Sequence, residues 1–280
     1  MGRPQEQQTR DEDNPEGAGL PRVLRKNKNG ALYLNIRGLF LQKNRNKPKH
    51  LKDLATQSNA PWIALTETWL KPEIESAEIQ IHGYKLYRAD REGRTHGGCA
   101  LYVRDDLTCS LVTAHSNMAC DTLIVKVKTL NTLLIVNYRP PDSTEEEFEE
   151  LLEVCQEAIE KVPNMDPKVK DIFQIGDYNL KCISWPSRKI YSKEVENKAT
   201  DKDQAQMLLE YAEKNFLVNC ITTPIRGENI LNLFFTNNHG LINFYRTIVN
   251  KKFSDHNTRV MDLSFSYNQE KKKRRKPTHT

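Results

Sequence analysis

The 280-residue sequence contains no apolar run near the roughly 18 residues that a membrane helix requires. Its first 14 residues are polar and lack the apolar core of a secretory signal. The expectation is an intracellular protein with no membrane partner. The six cysteines (Cys99, Cys109, Cys120, Cys155, Cys182 and Cys220) form no C-x-x-C pair, and no histidine stands at zinc-finger spacing from them. A zinc-finger reading is therefore disfavoured, and reduced core or surface thiols remain. No internal repeat is visible, which argues against a solenoid. A large excess of one charge is also missing: the net charge is +5 and the pI near 8.7. That balance is compatible with a polyanionic partner without requiring one.

What is present suits a soluble globular chain, with 38% hydrophobic and 28% charged residues and room for one large domain or two small ones. Residues 1–30, rich in Gln, Glu, Gly, Pro and Lys, read as a disordered leader. Strand-like runs follow at 31–36 and 61–66, then a series between 84 and 137. A further strand covers 171–175, with others at 231–236 and 260–265. A helix passes through Leu51, Leu54 and Ala55. The clearest helix spans 143–162, with Ser143 and Glu146 at capping-box spacing and Phe148, Leu151, Leu152, Cys155, Ile159 and Val162 on one face. Another carries Ala205, Leu208, Leu209, Ala212 and Phe216, with Thr200 and Asp203 available as caps. Residues 181–200 read as a long loop in which Trp185 packs.

The stretch Ile175-Gly176-Asp177-Tyr178-Asn179-Leu180 ends an apolar run, and Gly176 suits a tight turn there. Alone, Gly-Asp-x-Asn reads equally as an ordinary turn. Other polar residues stand in the same relation to apolar runs: Asn35, Glu67, Tyr138, Asp255 and His256. Each has a bland reading by itself. Together they suit phosphodiester hydrolysis. Carboxylates hold a hard divalent cation through oxygen, a second carboxylate activates water, and His, Asn and Tyr hydrogen-bond phosphate oxygens. The basic segment with Lys43, Arg45 and Lys47 is a solvated face or a phosphate-contacting edge. Arg139, beside Tyr138, joins it as a nucleic-acid contact. The C-terminal run from Lys271 to Lys276 suits nuclear import or a nucleic-acid contact.

In their order these stretches resemble the endonuclease/exonuclease/phosphatase superfamily. More narrowly, they resemble the apurinic-endonuclease-like domain of non-LTR retrotransposons of the jockey and chicken-repeat type. The likeness rests on Leu34-Asn35-Ile36-Arg37-Gly38-Leu39, Leu65-Thr66-Glu67-Thr68-Trp69-Leu70 and Gly97-Gly98-Cys99-Ala100-Leu101-Tyr102-Val103. It continues through Asn137-Tyr138-Arg139-Pro140-Pro141, Gly176-Asp177-Tyr178-Asn179-Leu180, Asn232-Leu233-Phe234-Phe235-Thr236-Asn237 and Ser254-Asp255-His256.

The resemblance implies a four-layer α/β/β/α sandwich of two packed mixed sheets over 31–266, followed by a basic disordered tail over 267–280. It implies nicking of DNA with Mg²⁺, Mn²⁺ being an alternative, in the nucleus. Glu67 would hold the metal, helped by Asn35 and Asp255. Asp177 would activate water and Asn179 hold the phosphate. Tyr138 would contact phosphate or leaving group, and His256 would stabilise the transition state. No obligate protein partner is evident; a reverse transcriptase encoded by a parent element is the candidate partner that the resemblance suggests. One position departs from the pattern: Asn232 stands where the family has an Asp that orients the histidine. In serine-protease triads the equivalent change lowers turnover about 10⁴-fold. The expectation is an enzyme slower than its relatives, with a DNA-binding remnant as the alternative and a phosphatase of the same superfamily as a third reading.

Overall fold

The computed structural model describes residues 5–6, 30–40, 46–91, 93–117, 119–191, 199–222, 229–249 and 259–265. Apart from Gln5–Glu6, the expected leader lies outside the described residues up to Gly30, and the expected tail lies wholly outside them. Four helices are described: α1 (Lys47–Ser58), α2 (Ser76–Ile79), α3 (Glu145–Met165) and α4 (Ala199–Lys214). None is long and apolar enough to cross a membrane.

The strands of one sheet are β1 (Gln5–Glu6), β2 (Gly30–Asn35), β3 (Trp62–Thr66), β4 (Tyr84–Ala89), β5 (Cys99–Arg104), β14 (Ile242–Val249) and β15 (Arg259–Phe265). They lie in the order β1-β14-β15-β2-β3-β5-β4. The second sheet holds β6 (Cys109–Ser116), β7 (Asp121–Val127), β8 (Thr132–Tyr138), β9 (Asp171–Asp177), β12 (Val218–Asn219) and β13 (Asn232–Thr236). Its order is β12-β13-β9-β8-β7-β6. A small hairpin joins β10 (Ile183–Ser184) to β11 (Lys189–Ile190). Both large sheets are mixed: β1 runs parallel to β14, β2 to β3 and β8 to β9, with antiparallel neighbours elsewhere.

Alternation along each strand decides the layers. On β2, Leu32 and Leu34 pack with Leu51 and Leu54 of α1, while Ala31 and Tyr33 turn to the core between the sheets. On β8 and β9, Asn137 meets Cys155 of α3, and Gln174 meets Tyr211 of α4. The intervening residues Tyr138, Ile175 and Asp177 therefore face the other sheet. The result is the expected four-layer α/β/β/α sandwich.

Four local expectations need correction. Helix α3 is capped one residue later than expected, by Thr144 and Glu147 in a reciprocal capping box. Both Ser-x-x-Glu and Thr-x-x-Glu frames fit the sequence, but the Ser143 hydroxyl is committed to Gln204. Phe216 lies beyond α4, at φ +55°, and is 84% exposed, so it is not on the buried face. The run 242–249 is a strand that the sequence reading passed over. Gly176 makes no turn; it lies inside β9 opposite Asn137. A Cβ there would come within 2.1 Å of the Asn137 carbonyl oxygen, so only glycine fits the close approach.

Candidate active site

The C-terminal ends of β2, β3, β8 and β9 meet at one edge of the sandwich, where open α/β sheets carry their ligands. Asn35 ends β2 and Glu67 follows β3; Tyr138 and Asp177 end the parallel pair β8 and β9. The side chains meet across the gap between the sheets. Asn35 Nδ2 donates to Glu67 Oε1 at 2.6 Å and to Asp177 Oδ2 at 2.7 Å. One amide nitrogen thus spends both protons holding two carboxylates from different sheets. Its oxygen accepts from the Arg37 backbone at 3.2 Å.

The loops holding these groups are unusual in backbone conformation. Arg37, Glu67 and Asn179 adopt φ of +46°, +53° and +51°, a region that non-glycine residues enter rarely. Neighbours fix them there. Gly38 N donates to Glu67 O at 2.7 Å and Leu39 N to Thr68 O at 2.9 Å. Thr68 N and Trp69 N donate in turn to Gly98 O and Gly97 O. Gly98 has φ +84°, and a Cβ on it would stand 2.6 Å from Thr68 Oγ1. The Gly-Gly turn therefore lets one loop press against the loop carrying Glu67.

Asn179 N donates to Asp177 Oδ1 at 3.3 Å, and its Nδ2 donates to Arg139 O at 2.8 Å. The Tyr138 side chain is 5% exposed, and its hydroxyl has no hydrogen-bond partner among the described residues. Burial first, then the Glu67 and Asp177 charges, raise its pKa above the ordinary phenol value. It is a proton donor at neutral pH. Asn232 pairs in register with Asp177, and its Oδ1 accepts from Tyr33 OH at 2.8 Å.

Two expected nucleic-acid contacts are instead internal supports. Lys47 is 2% exposed, and its ammonium donates to Ile36 O, Arg37 O and Gly38 O at 2.8, 2.9 and 3.0 Å. It staples the loop that follows Asn35, because three converging carbonyls replace water around the charge. Arg139 is fully buried. It donates to Gln204 Oε1, to Tyr178 O at 3.0 Å and to Asp201 Oδ1 at 2.8 Å, with its guanidinium 5.6 Å from the Phe148 ring centroid. It ties the loops after β8 and β9 to α4 and is closed to a ligand. Lys43, Arg45, Asp255 and His256 lie outside the described residues.

The sequence reading missed four residues behind this edge: Tyr33, Thr66, Arg91 and Asp121. Buried Asp121 pairs with Tyr138 in the strand register and bonds Arg91 at 2.9 Å. It also accepts from Gly98 N at 2.8 Å and from Ser116 Oγ at 2.6 Å. Burial raises its pKa, with Arg91 and these hydrogen bonds opposing. Arg91 in turn lies 5.3 Å from the Tyr138 ring centroid, a cation–π support for that side chain. A signal existed for Tyr33: two residues before Asn35 on a strand is the same face.

The donors at this edge are oxygens only, a fit for a hard divalent cation, which takes one or two carboxylates and retains waters. Among the described residues no three of His, Cys, Asp and Glu gather as a metal cluster. The two carboxylates and the asparagine are the part of a donor set that the described residues supply.

Comparison with known proteins gives this edge a family. A search of curated proteins by sequence returned no match. Among solved structures, the chain is similar to the endonuclease domain of TRAS1, a telomere-specific non-LTR retrotransposon, at 15% identity and TM-score 0.54, covering 86% of this chain and 100% of that one. It is similar to an AP endonuclease from Archaeoglobus fulgidus at 9% identity and TM-score 0.60, covering 85% and 100%. It is also similar to the 3′ phosphatase NExo from Neisseria, solved with a product DNA hairpin, at 13% identity and TM-score 0.53, covering 85% and 99%. At these identities the likeness establishes the fold. The sequence itself matches the profile of the endonuclease/exonuclease/phosphatase family over residues 32–256. The chain therefore belongs to the endonuclease/exonuclease/phosphatase family.

Proposed function

We propose that the protein is a divalent-cation-dependent phosphodiesterase that nicks DNA, a nuclease of the non-LTR retrotransposon kind. The observation that carries this reading is the single Asn35 amide bridging Glu67 and Asp177 at 2.6 and 2.7 Å. That arrangement holds one carboxylate for a cation and leaves a second, on the opposite sheet, for a proton. Glu67 and Asn35 would hold Mg²⁺ or Mn²⁺, with Asp255 as a further ligand by family likeness. When bound, the cation supplies charge neutralisation at the phosphate.

This chain's own groups do the rest. Asp177 accepts a proton from the attacking water, and Asn35 fixes the orientation of its carboxylate. Asn179 Nδ2 has a second proton beyond the one given to Arg139 O, and offers it to a phosphate oxygen. The Tyr138 hydroxyl, held as a donor by its raised pKa, faces the phosphate or the leaving oxygen. By family likeness His256 also stabilises the departing charge. The basic run from Lys271 to Lys276 fits DNA contact and a nuclear site of action.

The test is relaxation of supercoiled plasmid by the full chain in Mg²⁺, with Asp177→Ala as the control. Nicking that depends on Asp177 and stops with chelator supports the reading. A second reading, a DNA-binding remnant without turnover, is favoured by the neutral Asn232. It is selected if plasmid is bound but not nicked. Release of phosphate from a 3′-phosphorylated oligonucleotide without internal nicking would instead select a phosphatase.

A further inference from the structure

Tyr33 lies on β2, two residues before Asn35 and on the same face, and is 1% exposed. Its hydroxyl crosses between the sheets to Asn232 Oδ1 at 2.8 Å and lies 2.8 Å from Thr66 Oγ1. A phenol has one hydroxyl proton. Given to an amide oxygen, which cannot donate, it leaves Thr66 as the donor to the phenol oxygen. The chain of donation then runs from Thr66 Oγ1 to Tyr33 OH to Asn232 Oδ1. The amide of Asn232 is thereby oriented: its oxygen is bound to Tyr33, and Nδ2 has no partner among the described residues. Asn232 is half-buried, in register with Asp177.

We propose that Tyr33 makes Asn232 a hydrogen-bond donor to an anionic oxygen of the substrate, with Asn232 the contacting residue and Tyr33 its positioning residue. This rests on the phosphodiesterase reading of the same edge. The chemistry follows from the neighbours. Glu67 and Asp177 already place two carboxylates beside an incoming phosphate. A third carboxylate at 232 would repel it further, whereas an N–H attracts it. The Tyr33 hydroxyl satisfies the one end of the amide that would oppose a phosphate. Residue 232 thus differs from an aspartate in direction as well as charge: it gives a hydrogen bond where an aspartate can only accept.

The experiment measures binding without turnover. The full chain is titrated with a 20-base-pair duplex in Ca²⁺ by fluorescence anisotropy, for the native protein, Asn232→Ala, Asn232→Asp and Tyr33→Phe. The Asn232 side-chain NH₂ signals are followed by ¹⁵N NMR, assigned by their loss in Asn232→Ala. A hydrogen bond to a charged group predicts weakening of roughly tenfold or more in Asn232→Ala, and further weakening in Asn232→Asp. The NH₂ signals should shift with DNA in the native protein and shift less in Tyr33→Phe. Should Tyr33→Phe fail to fold, the two Asn232 variants and the native NMR titration still decide. Affinity that is unchanged or tighter in Asn232→Asp, or NH₂ signals indifferent to DNA, would overturn the inference. A native protein that binds through Asn232 but never nicks removes the nuclease reading alone. One that binds no DNA removes both.

Discussion

Two clusters of buried polar side chains stand back to back on β8 and β9, separated by one step of strand alternation, and they follow opposite rules. On the helix side, Asn137 Nδ2 and Gln174 Nε2 donate to the Tyr178 hydroxyl at 3.0 and 2.9 Å, and Tyr211 OH donates to Gln174 Oε1 at 2.8 Å. Beside them each of the three guanidinium nitrogens of Arg139 donates, to Gln204, Tyr178 O and Asp201. This cluster is closed: its groups satisfy one another away from water. On the sheet-facing side, Glu67 and Asp177 share one amide nitrogen, and the Tyr138 hydroxyl and Asn232 Nδ2 have no partner among the described residues. Among the described residues that cluster is open, with the Tyr138 hydroxyl and Asn232 Nδ2 left as donors for a ligand. The closed side fixes where the open side's residues stand.

The contrast predicts opposite signatures. The largest effect is expected for Asp177→Asn. Plasmid nicking should fall by about 10²–10⁴-fold, the usual worth of a general base. The urea midpoint should hold or rise, since two neighbouring carboxylates become one. A large midpoint loss would mean that Asp177 is structural. Arg139→Met should do the reverse. Asp201 and Gln204 lose a buried partner, at about 3–5 kcal/mol, while the nicking rate per folded molecule stays near native. Equilibrium denaturation with activity measured in the folded baseline checks it.

Tyr178→Phe is the milder break of the closed cluster. It leaves the Asn137 and Gln174 amides without their shared acceptor, at about 1–3 kcal/mol, readable as a shift in denaturation midpoint. The smallest effect is chemical. Burial pushes the Cys120, Cys155 and Cys220 thiols up to about 12, so at pH 8 they carry almost no reactive thiolate. Half-buried Cys109 should alkylate first. Fast native alkylation of Cys155 would show that the closed cluster opens.

The site was legible in the sequence where local rules sufficed. Asn35, Tyr138 and Asp177 end strands, and Glu67 follows one; an apolar run followed by a polar residue marks such positions without tertiary knowledge. What escaped was decided by distance. Nothing near Lys47 announces that three carbonyls converge on it, so a buried ammonium looked like one more member of a basic run. Arg139 meets partners more than 60 residues away, and Tyr33 meets Asn232 across 199. The cap of α3 was ambiguous for a different reason: two overlapping frames were chemically equal, and Gln204 broke the tie by claiming Ser143. Residues 181–200 read as one loop, yet they hold the β10–β11 hairpin, with Trp185 edge-on to Phe235 at 5.5 Å. His256 and Asp255, prominent in the sequence, lie outside the described residues.

Gly176 carries a consequence beyond its fit. In a parallel pair a slip of one residue exchanges the two faces of a strand. A slip of β9 against β8 would send Asp177 to the helix side and bring Ile175 or Asp177 opposite the Asn137 carbonyl. The missing side chain at 176 makes that spot a lock with one key: any other registration drives a Cβ into an oxygen 2.1 Å away. Strand pairing is thereby proofread at the residue next to Asp177, and a chain that closes this pair correctly has already set its carboxylate between the sheets.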